Sequence, residues 1–241
     1  MIPLGIIAAA SPSAGTAPGD PHWARVVSLL HFDGPHDGLD FIDETGRVWT
    51  RAVGTYISVL QSRFGGASGD FGGSGTYISA AHDAALSASG GVDMTWELFV
   101  RPRAQKTTAC LATKRPTSGS SEWFLVLEDG RPSFYCWRAG NAVSVSVMAA
   151  DPVPLNKWTF IAVSIVDNVA RLFVNGALAA SGTLLGPIAG NTAPVYIGRD
   201  PTNAGRNFDG FIDEYRQTKG VGRYTGSFTP PIAAFPGHGV T

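Results

Sequence analysis

The carboxylates that lie closest along the chain are the adjacent pairs Asp43-Glu44, Glu128-Asp129 and Asp213-Glu214. Retaining glycoside hydrolysis needs two carboxyl groups on one face about 5 Å apart, one as nucleophile and one as acid. Neighbouring residues of a strand project to opposite faces, so an adjacent pair does not meet that need. The histidines His22, His31, His36, His82 and His238 sit in separate segments. HFDGPH brings His31 and His36 near each other, but no cysteine or His-Glu pattern completes a transition-metal set. His31, beside Phe32 at a strand end, reads as a structural histidine. No Gly-x-Ser-x-Gly elbow occurs. FGGASGDFGGSG has the glycine density of a phosphate loop, yet no Gly-Lys-Ser/Thr closes it and no helix follows, so it reads as an irregular strand edge and turn.

Recognition chemistry is better served. Tyr135 and Trp137 are two apart and share one face of a strand, where they would form an aromatic platform for a sugar ring, with Arg138 and Asn141 supplying polar contacts. The alternative places Trp137 in the core and leaves Arg138 solvated; FYCWR admits both.

Strands must position these residues. From Trp158 to Tyr224, Phe160, Ala162 and Ser164 alternate with Ile161, Val163 and Ile165, and Asp167-Asn168 then turns the chain into Val169–Val174. Asn175-Gly176 repeats the device, because that pair readily takes the positive φ of a hairpin turn. VDMTWELFVRP, TTACLATK, SEWFLVLED, RPSFYCWRAG and AVSVSVMAA follow one another at the short spacing of an antiparallel sandwich, with Glu128-Asp129-Gly130 as one hairpin turn. Val26 to Phe32 reads as the first strand, FIDETG and RVWTRAVGTYISV as two more around a Gly46 turn, and AAHDAALSASG as a single turn or loop. Trp96, Phe99, Phe124, Leu125, Phe134, Trp158, Phe160, Ile161, Phe173, Ile197 and Ile212 are expected to fill the space between two sheets about 10 Å apart.

Composition agrees. Thirty glycines and sixteen prolines with 44% hydrophobic residues fit many short strands joined by turns, and 241 residues suit one all-β domain. A net charge of −1 excludes the basic footprint of a nucleic-acid reader and offers nothing to a membrane surface. Cys110 and Cys136 are too few for a disulfide scaffold and read as buried thiols, unless their strands are neighbours. No Asn-x-Ser/Thr acceptor occurs. The first residues, MIPLGIIAAASPSAGTAPGDPHW, lack the basic region and long apolar run of a secretory signal and are too short for a membrane span. Ile2, Leu4, Ile6 and Ile7 are expected to form an apolar arm that docks on a neighbouring subunit. The expected division is therefore an arm and lead over 1–25, a sandwich over 26–231 and a tail over 232–241.

The tryptophan that opens a strand, LFVNG, YIGR and FDGFIDEYR together resemble the laminin-G-like members of the concanavalin A-like jelly-roll superfamily. GVGRYTGSFTPP, with LLHFDG, FIDETGRVWT and FGGASGDFGGSGTYIS, resembles the variant found in tailed-bacteriophage virion proteins, over roughly residues 26 to 231. The resemblance implies a two-sheet antiparallel jelly roll. It also implies a place in a tail, fibre or capsid decoration, alongside other virion proteins in a multi-copy assembly, with surface polysaccharide as a ligand. Glycanases of the superfamily carry Glu-x-Asp-x-Glu on one strand; this chain has no such string, so no enzyme is expected. A structural calcium in the superfamily often uses the aspartate of the last core strand, which matches Asp213, and a turn carbonyl near Gly34 would accompany it. The alternative for Asp213 is a set of hydrogen bonds to a neighbouring loop. The alternatives for function are a secreted or cell-surface carbohydrate-binding module and, behind it, a glycan-cleaving enzyme.

Overall fold

The computed structural model describes residues 19–238. The strands are β1 (Val26–Leu30), β2 (Thr50–Arg51), β3 (Thr55–Ser58), β4 (Ser68–Gly72), β5 (Ile78–Ala80), β6 (Met94–Pro102), β7 (Thr108–Lys114), β8 (Trp123–Glu128), β9 (Arg131–Arg138), β10 (Ala142–Met148), β11 (Thr159–Val166), β12 (Val169–Val174), β13 (Ala177–Thr183), β14 (Val195–Ile197) and β15 (Asp209–Lys219). One sheet runs β13-β12-β11-β6-β15-β4-β3, with β1 also on β15, and the other runs β10-β9-β8-β7-β14-β5-β2. Named pairs in both are antiparallel, as expected for a jelly-roll sandwich.

Hairpin chemistry sets the local connections. Asp167 and Asn168 (φ 51° and 63°) and Asn175 and Gly176 (φ 48° and 79°) take the paired positive φ of type I′ turns, so β11 pairs with β12 in unbroken register and β12 with β13 across one shift between Leu172 and Phe173. The segment expected to be a turn or loop holds one 3-10 turn, Ala84–Leu86, capped by the Asp83 side chain. The glycine-dense stretch instead yields β4, which pairs on both sides. Asp209 and Gly210 open β15.

Between the sheets lie Trp96, Trp123, Leu125, Phe134, Ile161, Ile197 and Ile212. Phe99, Phe160 and Phe173 are equally buried but on the outer side of the larger sheet, with Trp158 partly buried beside them, and Phe124 lies on the outer side of the smaller one. The alternation along β11 holds as expected; it simply has two apolar faces to bury. The outer face is covered by the chain after β15. Tyr224 stacks on Phe228 at 3.6 Å, Phe228 meets Phe173 at 5.3 Å and Phe160 at 6.0 Å, and Phe235 meets Phe160 at 6.4 Å.

Both ends of the described chain are tied to this face. Asp20 receives Arg216 and Arg223, Glu97 takes a two-pronged contact from Arg216 at 2.8 and 3.0 Å, and Asp20 N–H donates to Gly237 O. Residues 19–25 and 232–237 thus pack on the sandwich. The segment expected to form a docking arm, Ile2 to Ile7, lies outside the described residues. Cys110 and Cys136 are both free and buried on opposite faces of the smaller sheet, with β8 between their strands, which prevents a bridge.

Candidate functional site

Two places gather the residues singled out by the sequence. The first is a seam on β15. One side of this strand pairs with β6; the other pairs with β4 through 209–212 and with β1 through 215–218. At the junction an extra residue bulges out, with Glu214 at φ 54°, so Ile212 and Tyr215, three apart, both reach the inner core. The opposite-face argument for Asp213 and Glu214 therefore fails here, because the bulge breaks the alternation.

The Asp213 carboxylate accepts Arg63 N–H at 2.7 Å and Phe64 N–H at 3.2 Å on one oxygen, while the other, Oδ1, is buried without a partner. Burial pushes this carboxyl up to about 8; the two amides oppose that, and the charges of Glu214 and Asp33 add to it. Glu214 is engaged by His31 Nδ1 at 2.8 Å and Phe235 N–H at 2.7 Å. Burial alone would lower the His31 pKa, but the hydrogen bond and charge of Glu214, aided by Glu44 and Asp33, raise it. Asp33 is raised by burial, with His31 opposing and Glu214 and Glu44 adding. Phe32 at φ 59° turns the chain so that Asp33 reaches the loop at Gly65. Gly34 itself lies against Ile57.

An orphaned carboxylate oxygen beside a second carboxylate that raises its pKa fits a hard cation. No three His, Cys, Asp or Glu side chains converge on one point among the described residues. A calcium ion here would thus draw on Asp213, Asp33, backbone carbonyls and water. In the other two adjacent pairs, one member of each is occupied. Asp43 accepts Ser28, Trp49, Thr45 and the Leu29 amide, and Glu128 accepts the Tyr135 hydroxyl at 2.5 Å.

The second place is the outer face of the smaller sheet. Register runs Ser146–Tyr135–Phe124–Thr113–Tyr196–Ser79–Thr50 across all seven strands. Tyr135 and Trp137 stack at 6.1 Å with 25° between their planes, and both are partly exposed. Burial and then the Glu128 contact push the Tyr135 phenol up to about 12. Arg115 lies 5.1 Å from the Trp137 ring and 4.7 Å from Phe124. Its guanidinium is held by Ser121 Oγ and by buried Asp200, which also takes Arg206. Further along the face, Arg199 caps Tyr77 at 4.4 Å and Tyr196 at 5.3 Å.

Arg138 and Asn141 do not join the platform. Arg138 is exposed and packs toward Gly186, and Asn141 spends its carbonyl on the Ser121 amide at 2.9 Å. Arg115, and not Arg138, lies against the Trp137 ring. It lies 22 residues from Trp137 in sequence, so no local string announces it. The two stacked rings flanked by a held guanidinium form an open surface suited to a sugar face.

A family model described as the concanavalin A-like lectin/glucanases superfamily matches residues 71–220, more than half of the chain. No curated protein matches the chain in sequence. Among solved structures, the binding domain of Paraclostridial Mosquitocidal Protein 1 is similar with a TM-score of 0.62 and 15% identity, covering 86% of this chain and 50% of that one. Domain 4 of AbnA, a GH43 extracellular arabinanase from Geobacillus stearothermophilus in complex with arabinotriose, gives 0.61 and 18%, covering 86% and 95%. The botulinum neurotoxin serotype G binding domain gives 0.62 and 14%, covering 85% and 48%. The chain spans about half of the two toxin domains and nearly all of the arabinanase domain. At these identities the likeness is one of fold.

Proposed function

Because this chain belongs to the concanavalin A-like lectin/glucanases superfamily, we propose that it binds surface carbohydrate, without cleaving it, through the outer face of the seven-stranded sheet. The observation that carries this reading is the Tyr135–Trp137 stack with Arg115 fixed beside it. An arabinotriose complex of a domain with this fold, and toxin domains described as binding domains, support a recognition role.

The finer placement is a tail, fibre or decoration protein of a tailed-phage particle, present in many copies with the sandwich facing outward. The support is the sequence resemblance, chiefly GVGRYTGSFTPP. Residues 1–18 would anchor the chain to other virion proteins, and deleting them should leave a folded domain that no longer enters particles. Near-complete coverage of the arabinanase domain favours a second reading, a secreted or cell-surface carbohydrate-binding module. No helix among the described residues is long and apolar enough to cross a membrane. A calcium ion held by Asp213 and Asp33 would pin the seam and has no part in sugar contact.

Binding to an array of bacterial surface polysaccharides, run beside a reducing-sugar assay on the same polymers, tests the reading. Saturable binding with no new reducing ends is expected. Release of sugar ends, or no binding that depends on Trp137, would overturn it.

A further inference from the structure

Lys114, the last residue of β7, is 0% exposed, as is Glu122 in the segment leading into β8. The Lys114 amine reaches Ala193 O at 2.7 Å, Asn191 O at 2.9 Å, Asn191 Oδ1 at 3.1 Å and His82 Nδ1 at 3.2 Å. Glu122 Oε2 stands 3.7 Å from the amine and has no hydrogen-bond partner, while Oε1 accepts Ala88 N–H. The Asn191 amide is fixed at both ends. Its Nδ2 donates to Ser120 O and Lys114 O, and its Oδ1 accepts Ala193 N–H at 2.9 Å.

A buried amine against a side-chain amide whose carbonyl is already polarised, with a buried carboxylate alongside, holds every group that amide exchange requires. We propose that Lys114 and Asn191 join as an intramolecular isopeptide, with Glu122 carrying the protons. Burial favours the neutral form of each partner, lowering the Lys114 pKa and raising that of Glu122, with their mutual charge opposing in both cases.

The step balances. Glu122 takes one proton from the ammonium, and the freed lone pair on Nζ forms a bond to Asn191 Cγ as the carbonyl electrons move onto Oδ1, against the Ala193 N–H. Protonated Glu122 gives its proton to Nδ2, the Cγ–Nδ2 bond breaks, and ammonia leaves as the C=O re-forms. The surplus proton on Nζ returns to Glu122. The product is one amide, one ammonia and a neutral Glu122, so a buried ion pair is replaced by uncharged groups; leaving ions paired in a dry interior is the costlier arrangement.

The test is mass spectrometry on the full chain under denaturing conditions. The expected mass is lower than that encoded by one ammonia. Trypsin should fail to cut after Lys114, giving a branched peptide of residues 107–138 joined to residues 172–199. The encoded mass with cutting after Lys114 would overturn the bond and leave an ordinary ion pair. Loss of ammonia with the two peptides separate would also overturn it, since a succinimide at an asparagine has the same mass. For the proton carrier, Glu122→Gln should accumulate the unlinked chain. Should that variant not fold, Glu122→Asp should slow linking, and complete linking in either would overturn the part given to Glu122.

Discussion

The carboxylate of Asp33 fills the space that a Cβ on Gly65 would need, with Oδ1 1.9 Å from that position. Gly65 also sits at φ 61°, where a side chain is strained whatever the room. Gly65→Ala should therefore expel Asp33 from the seam and cost about 1–3 kcal/mol, read as a lower urea midpoint with unchanged slope. A variant as stable as the parent would show that Asp33 is not held there.

Asp213 leads to a prediction about metal. If calcium occupies the seam, a calcium concentration a hundredfold above its dissociation constant should stabilise the fold by about 2.7 kcal/mol. Asp213→Asn keeps an acceptor for the Arg63 and Phe64 amides but removes the charge, so its midpoint should not respond to calcium. A parent chain whose melting temperature is the same in calcium and in chelator would remove the metal from the account.

Asp20 gives the pH dependence. Burial raises its pKa, but Arg223, the His22 amide and Arg216 together outweigh burial and hold it below the ordinary 3.8. A carboxylate depressed on folding stabilises above its unfolded pKa and loses that contribution as pH falls through the folded value. The tie between 19–25 and the segment after β15 should therefore loosen only below pH 3.8, seen as faster amide exchange around Arg223 and Phe235. Asp20→Ala should produce the same loosening at neutral pH, at a cost of about 3 kcal/mol for the buried guanidinium groups left behind. Acid-insensitive exchange would show that this pair does not hold the ends.

Most strands and turns were legible because side-chain period and turn chemistry are local, although FIDETG, read as a strand, forms only isolated bridges. Val163 and Phe160 show where that stopped: alternation separates them, yet only the folded chain reveals that both faces are dry, because the cover comes from Tyr224, Phe228 and Phe235. The bulge at Glu214 did leave a trace, since Ile212 and Tyr215 are both core-type residues three apart, a spacing no regular strand allows. Arg115 left none. It meets Trp137 through the pairing of β7, β8 and β9, and register between strands is not written in any one of them. The stack of Tyr135 and Trp137 was readable from their spacing, whereas the guanidinium beside it was not.

That difference separates two accounts of the sugar site. If the ring of Trp137 and the guanidinium of Arg115 carry recognition, Trp137→Ala should weaken binding to the polysaccharide found on the array by tenfold or more, about 1.4 kcal/mol. Arg115→Ala should also weaken it, because the charge above the ring is lost along with its tether to Asp200. Arg138→Ala should bind as the parent does, since that side chain is exposed and turned toward Gly186. Trp137 is partly exposed and outside the inner core, so its truncation should leave the melting transition cooperative, and calorimetry on the same samples checks that the loss is one of contact. Equal affinity in Trp137→Ala, or a loss in Arg138→Ala alone, would move the site off this face and return the expected polar partner to the role proposed for Arg115.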